Sequence, residues 1–229
     1  MNRKPADSRW KVLRIVVGLG AIVFSVCALA AGCSRLGIKG NGVISTEDRP
    51  VAEFSKVSIV GGYEIQWSRG KPALNISTDQ NLLPHIKTDV RDDTLRIDSK
   101  ENLLPTKITK ITISSDSLKG LRLTGGNNFK ASQLSGPELR VESTGASNIT
   151  VDGAVTKLEA TLTGANKLNA TSLPTQTATV TMTGASDADV TVSDTLKVSV
   201  TGAGSLTYSG TPKSIEKTIT GAGSVRHRP

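Results

Sequence analysis

The tripeptide Thr-Gly-Ala returns through the second half of the chain at nearly constant spacing, and no other feature restricts the fold as much. It stands at Thr144-Gly145-Ala146, Thr163-Gly164-Ala165, Thr183-Gly184-Ala185, Thr201-Gly202-Ala203 and Thr220-Gly221-Ala222, with the variant Thr124-Gly125-Gly126 one step earlier. The steps between threonines are 20, 19, 20, 18 and 19 residues. Repetition at such a period marks a solenoid, in which each repeat buries its apolar face only against its neighbours. One residue before the threonines stand Leu123, Ser143, Leu162, Met182, Val200 and Ile219, and three before stand Leu121, Val141, Ala160, Val180, Val198 and Lys217. Five after stand Phe129, Ile149, Leu168, Ala188, Leu206 and Val225. Offsets of two put these side chains on one face of a strand. Each repeat therefore reads as strand, glycine turn, strand, and like residues at like positions predict parallel stacking.

Composition agrees with a thin core. Aromatic residues make up 3% of the chain, and Gly numbers 22. The formal charge is +8, but residues 1–32 hold Arg3, Lys4, Arg9, Lys11 and Arg14 against Asp7 alone. The rest carries 23 basic and 19 acidic groups, spread singly and without aromatic interleaving, which gives nucleic-acid binding no support. The only cysteines, Cys27 and Cys33, lie near the N-terminus, so the body has neither a disulfide framework nor a cysteine-ligated zinc site.

Those first residues set an address. A basic stretch to Arg14 is followed by an apolar run of 17 residues, Ile15 to Ala31, and then by Gly32-Cys33. A charged region, an apolar region and small residues describe a secretory signal peptide, and the run is at the short limit for a spanning helix. The stretch Leu29-Ala30-Ala31-Gly32-Cys33 resembles the bacterial lipobox, which implies that Cys33 is lipid-modified and becomes the mature N-terminus. Leu29 stands one place earlier than the pattern prefers, and Cys27 is a poor rival because bulky Val26 precedes it. An uncleaved anchor helix and an ordinary signal peptide are the alternatives. The resemblance further implies that Ser34, rather than Asp, directs the protein to the outer membrane of a Gram-negative cell. The partner so implied is the membrane, reached through an N-terminal lipid.

Residues 33–50, rich in Gly, Ser and charge, read as a flexible tether. From 51 to 118 the strand pattern is irregular, and from 119 to 229 it is regular. Placing Val60 in the threonine slot puts Val57, Ile59, Ile65 and Trp67 on the repeat offsets, so this stretch reads as a first, degenerate coil. Leu74 and Ile76, Leu95 and Ile97, and Ile111 and Ile113 mark further short strands, with Asp92-Asp93 as a turn. Asn81-Leu82-Leu83-Pro84 and Asn102-Leu103-Leu104-Pro105, 21 residues apart, suggest another coil repeat. Pro137, Pro174 and Pro212 fall between repeats, where a ladder N–H is least needed.

Phe54-x-x-Val57, the Gly61-Gly62 turn, Asp79-x-Asn81-Leu82, Leu95-x-Ile97 and the serial Thr-Gly-Ala turns together resemble the head GIN domain family, whose members are described as auto-transporter adhesins or as a domain of unknown function. The resemblance implies a right-handed parallel β-helix over most of the mature chain and an envelope location. It implies no activity.

Few residues offer chemistry. The glycines of Thr-Gly-Ala, Gly125, Gly145, Gly164, Gly184, Gly202 and Gly221, read as corners needing positive φ. The polar column three past each threonine, Asn127, Ser147, Asn166 and Ser186, reads as mutually bonded turn residues. His85 and His227 lack a nucleophile motif, and Asp152, Glu159, Asp187, Asp189 and Asp194 fall at unrelated repeat positions. Asp187 and Asp189 could hold a cation only weakly. No cofactor and no enzyme are expected. The leading expectation is a lipid-anchored, non-catalytic envelope β-helix that binds a protein or glycan partner. The alternatives are a purely structural envelope component, a polysaccharide-cleaving β-helix, and an ice-binding face built from Thr161-x-Thr163, Thr181-x-Thr183, Ser199-x-Thr201 and Thr218-x-Thr220. The oligomeric state is left open.

Overall fold

The repeat in the sequence becomes a stack of coils, and the glycine corners set its register. The computed structural model describes residues 37–229. Its regular part is a parallel β-solenoid of about 5 turns. Strand β10 (Gly120–Gly125) lies parallel to the last third of β11 (Asn128–Gly145), with Thr124 opposite Thr144 and Gly125 opposite Gly145. The same register carries through β12 (Asn148–Gly164), β13 (Lys167–Gly184), β14 (Asp187–Gly202) and β16 (Ser214–Gly221). Each long strand runs from one corner to the next, so it supplies the second arm of one coil and the first arm of the following one. The ladder does not stop at the corner: the N–H of Ala165 donates to Gly145 O and that of Ala185 to Gly164 O, both at 2.8 Å.

This explains why the corner is glycine. Gly164 has φ +108°, and a Cβ there would stand 2.3 Å from Gly145 O. Gly145 faces Gly125 O in the same way at 2.4 Å. Conformation and space both exclude a side chain. Beneath the corners Asn127, Ser147, Asn166 and Ser186 are buried and bonded to one another, as Ser147 N to Asn166 Oδ1 at 3.0 Å and Asn166 Nδ2 to Thr163 O at 2.8 Å show. No buried side-chain nitrogen or oxygen among the described residues lacks a partner.

The apolar columns expected from the offsets are buried up to Leu206, with Phe129, Ile149 and Leu168 among the most deeply buried, while Ile219 in the last coil is exposed. A further inward position was missed. Leu134, Val155, Leu173 and Val192 close the core between the second arm of one coil and the first arm of the next. The register slips there, between Ala131 and Leu134 and again between Ala170 and Pro174, so the column is not evenly spaced in the sequence.

Toward the N-terminus, β3 (Lys56–Gly61) places Val60 opposite Thr124 and Gly61 opposite Gly125, and β4 (Glu64–Arg69) continues beside β11. The degenerate first coil is therefore present. Its other neighbours come later in the chain: β7 (Thr94–Ser99) stacks on β3, and β9 (Lys110–Ser115) on β4. Antiparallel strands then close this end. β6 (Ile86–Arg91) pairs with β7 around Asp92 and Asp93, whose φ of 51° and 62° fit a tight hairpin turn. β5 (Ala73–Asp79) pairs with β9, and β2 (Ile44–Arg49) with β5.

Two expectations need correction. Much of the stretch read as a tether, 33–50, is held in the fold: besides β2, β1 (Ile38–Lys39) pairs with β8 (Leu103–Leu104). Its polar composition reflects an edge strand rather than free chain. The two Asn-Leu-Leu-Pro stretches do not form equivalent coils. The first leads into a 3-10 turn at Leu83–His85, and the second supplies β8.

Asp79 ties the cap together. Its buried carboxylate accepts from the Gly42 N–H at 2.7 Å, the Thr106 N–H at 2.8 Å and the Thr106 hydroxyl at 2.8 Å. Burial pushes this carboxyl up, but the donors from Thr106 and Gly42 outweigh it and hold it below the ordinary aspartate value.

The opposite end is open. β15 (Ser205–Ser209) leads to β16, and β17 (Ser224–His227) pairs with β15. Lys217 occupies the inward slot held by Val198 one coil earlier, with Nζ 5.3 Å from the Tyr208 ring centroid. An inward charge on an edge strand opposes further strand addition.

Two predictions follow from the corner and the cap. Gly164→Ala should destabilise the fold by about 2 kcal/mol or more, from strain and the carbonyl contact, whereas Gly126→Ala, whose nearest approach is 3.9 Å, should be neutral or slightly stabilising; urea unfolding of both variants checks this. Because the folded pKa of Asp79 is lowered, its contribution should be present above about pH 4, the unfolded value, and be lost as pH falls through the folded value. Hydrogen exchange at Gly42 and Thr106 should accelerate over that interval, and Asp79→Asn should show the faster exchange already at pH 7.

Candidate functional site

With its interior polar groups paired, the solenoid presents chemistry mainly on its outward faces, and these differ along the axis. On the first arm two outward columns alternate with the buried one. The column two before the threonine runs Arg96, Ser58, Arg122, Glu142, Thr161, Thr181, Ser199 and Thr218. The next column out runs Thr94, Lys56, Gly120, Arg140, Glu159, Thr179, Lys197 and Glu216. Charges thus crowd the end near the cap, and hydroxyl side chains predominate in the middle.

Gly120 interrupts the second column, and a groove of about 850 Å³ opens there, lined among others by Lys56, Arg96, Lys119, Arg122, Arg140, Asp93, Glu138 and Glu142. A Cβ at position 120 would lie 3.1 Å from Lys56 Cγ, so the missing side chain makes room for the lysine stem. Along one rim the charges are paired: Glu142 takes Arg122 at 2.6 Å and Arg140 at 2.8 Å, while Glu159 takes Arg140 at 3.4 Å and also Lys157. The hydrogen bond from Lys157 holds the Glu159 carboxyl below the usual glutamate range, against its partial burial. Asp93 is turned to the Ser55 backbone N–H, at 2.7 Å, and to the Ser55 hydroxyl. Lys56, Arg96 and Lys119 make no ion pair among the described residues. The groove therefore has an exposed cationic side that is free to meet an anion.

The other candidate residues do not converge. His85 Nδ1 faces Glu101 at 3.6 Å in the cap, and His227 Nε2 lies 3.0 Å from Gly210 O at the far end. Asp189 is paired with Arg228 at 2.8 Å, Asp194 with Lys213 at 2.9 Å, and Asp152 Oδ1 accepts from the Gln133 N–H at 2.8 Å. Among the described residues no group of three His, Cys, Asp or Glu is placed to hold a metal. Thr161, Thr181, Ser199 and Thr218 do stack in register, but the Arg122–Glu142 pair interrupts the column above them. Cys33 and Leu29, Ala30, Ala31 and Gly32 lie outside the described residues, among which no helix is long and apolar enough to cross a membrane. The groove was not foreseen from the sequence. Its signal was there: Gly120 stands where other repeats carry Arg140, Glu159 or Lys197.

Exposed ion pairs contribute little to folding. Glu142→Gln should therefore change unfolding free energy by less than about 1 kcal/mol in urea titration, while releasing two guanidinium groups toward the groove.

Comparison with known proteins places these features in a family. Residues 53–212 match the model described as "putative auto-transporter adhesin, head GIN domain". No curated protein matches the chain. Among solved structures, a "putative adhesin" from Bacteroides fragilis is similar at 22% identity with a TM-score of 0.70, covering 84% of this chain and 100% of that one. A "putative adhesin" from Parabacteroides merdae is similar at 20% identity and TM-score 0.53, covering 85% and 100%. A "putative lipid binding protein" from Parabacteroides distasonis is similar at 21% identity and TM-score 0.51, covering 84% and 99%. At these identities the structures speak for the fold alone. The match over residues 53–212, with the glycine corners from Gly61 to Gly202 and the coil that begins at Lys56 inside it, makes this chain a member of the head GIN domain family of adhesin-like proteins.

Proposed function

We propose that this chain is a non-catalytic component of the bacterial cell envelope, held in the outer membrane by a lipid on Cys33, and that its outward solenoid face binds an anionic partner. The carrying observation is the groove at Gly120, where Lys56, Arg96 and Lys119 stand without carboxylate partners beside a rim on which Arg122 and Arg140 are paired with Glu142. Adjacent strands place side chains at intervals of about 4.8 Å along the axis. A polymer that repeats its negative charge, such as an acidic glycan or an acidic protein segment, can meet several rungs at once. The neighbouring outward hydroxyls of Thr161, Thr181 and Ser199 then offer hydrogen bonds beyond the groove. Binding rather than catalysis suits this surface, because recognition needs charge and spacing but no convergent acid, base and nucleophile. The family's adhesin description points the same way.

The test is binding of the mature protein to immobilised polysaccharides that carry uronate or sulfate, beside neutral ones of similar length, and to acidic and neutral peptides. Acidic ligands should bind and weaken with added salt. Lys56→Glu and Arg96→Glu should each reduce affinity about tenfold, equivalent to about 1.4 kcal/mol. Binding that ignores both reversals would place the recognition surface elsewhere.

A further inference from the structure

Among the described residues, large apolar side chains are exposed at few places, and their distribution is uneven. Val43 is 56% exposed, Ile108 52%, Ile44 42% and Leu104 38%; the other three are Val60, Ile215 and Ile219. The first four belong to segments that meet around Asp79 in the cap. Gly42 N and Thr106 N both donate to the Asp79 carboxylate, at 2.7 and 2.8 Å. Val43 O accepts from Gln80 N at 2.8 Å, and Ile44 lies opposite Asp79 across the β2–β5 pair. Leu104 O accepts from Gly40 N at 2.9 Å. The same knot that orders these segments thus leaves their apolar side chains in water.

Two exposed lysines border these segments, beside the acidic Glu47 and Asp48 of β2. Lys39 pairs by backbone with Leu104, and Lys107 follows Thr106; both are exposed and make no ion pair among the described residues. Exposed apolar side chains rimmed by lysine are the chemistry that sits in the headgroup region of a bilayer, the apolar groups entering and the ammonium groups meeting phosphates.

Chain length selects the occupant. Four residues, 34–37, separate Cys33 from Ile38, whose backbone N–H is already bonded to Asn102 O at 2.8 Å. Extended chain spans at most about 3.6 Å per residue, so a lipid on Cys33 would keep Ile38 within about 18 Å of the membrane surface. We infer that the cap is a membrane-seating surface, in which Val43, Ile44, Leu104 and Ile108, with Lys39 and Lys107, rest on the anionic headgroups of the bilayer that holds the Cys33 lipid. This rests on the lipid-anchor reading above. The cap is then the membrane-facing end of the solenoid, and its open end faces away.

The test uses the mature acylated protein in vesicles, with one added thiol carrying an environment-sensitive dye at Ile108→Cys or at Thr211→Cys near the open end. Nitroxide-bearing lipid should quench the dye at position 108 at least twice as strongly as at 211, more so with anionic lipid. Lys39→Glu combined with Lys107→Glu should reduce the difference. Equal quenching at both positions, in protein that floats with the vesicles, overturns the seating while leaving the anchor intact. A dye at 108 shielded from water yet not quenched by lipid points to a second copy or another protein on the cap and also overturns it. Protein that stays in the soluble fraction and carries no acyl mass overturns the anchor, and the seating with it.

Discussion

The structure depends on one contact repeated at every corner: a glycine of one coil lying against the carbonyl oxygen of the glycine beneath it. The near approach lets the backbone ladder turn without losing a hydrogen bond, because Ala165 N and Ala185 N still reach the carbonyls of Gly145 and Gly164. A β-solenoid has no helix or second sheet to cover an interrupted ladder, so an unpaired corner would expose backbone groups in every turn. With the corners in register, the arms follow, and the inward columns fall on top of one another. Stability in such a stack is close to a sum over neighbouring coils. The two ends are then the weak points, and this chain treats them differently. One end is closed by antiparallel strands and the Asp79 knot, while the other carries a charge in an inward slot at Lys217.

The interior consumes its own polar groups. Asn127, Ser147, Asn166 and Ser186 sit under the corners and bond to one another and to the backbone, so this column is part of the scaffold rather than a place for a ligand. What remains for recognition is the outer surface, where charge, hydroxyl groups and a groove follow one another along the axis. A rigid rod with evenly spaced rungs suits a partner that is itself extended. That match between fold and partner is the physical basis of the proposed binding. Within the groove, the ion pairs on the rim leave Lys56, Arg96 and Lys119 without a counter-charge.

The regular half was legible because a solenoid writes its geometry directly into period and offset. Thr124 to Thr220 fixed corners, arms and register, and the same template found the first coil through Val60, although no threonine marks it. Legibility failed where contacts stop being local. Leu134 and Leu173 lie past bulges that break the even offset, so their inward direction is set by the coil next door. The cap failed for another reason: β7 and β9 stack on β3 and β4 by crossing from later in the chain, which no period records. Residues 38–49 look like a linker because an edge strand with one solvent face has a linker's composition. Their order comes from Asp79 and Asn81, more than thirty residues away. The groove at Gly120 was visible only as a missing side chain.

Order in residues 38–49 changes how an anchored molecule would stand. A long free tether would let the solenoid point anywhere, whereas a lipid on Cys33, four residues before Ile38, would keep the cap near the bilayer. Everything in that picture passes through Cys33. The most direct measurement is the intact mass of the protein extracted from its own membranes, beside a Cys33→Ser variant. The account predicts a chain that begins at Cys33 with added acyl mass, and release of the variant from the membrane as unacylated protein. A native chain without acyl mass, or one that keeps Met1 to Gly32, would contradict it.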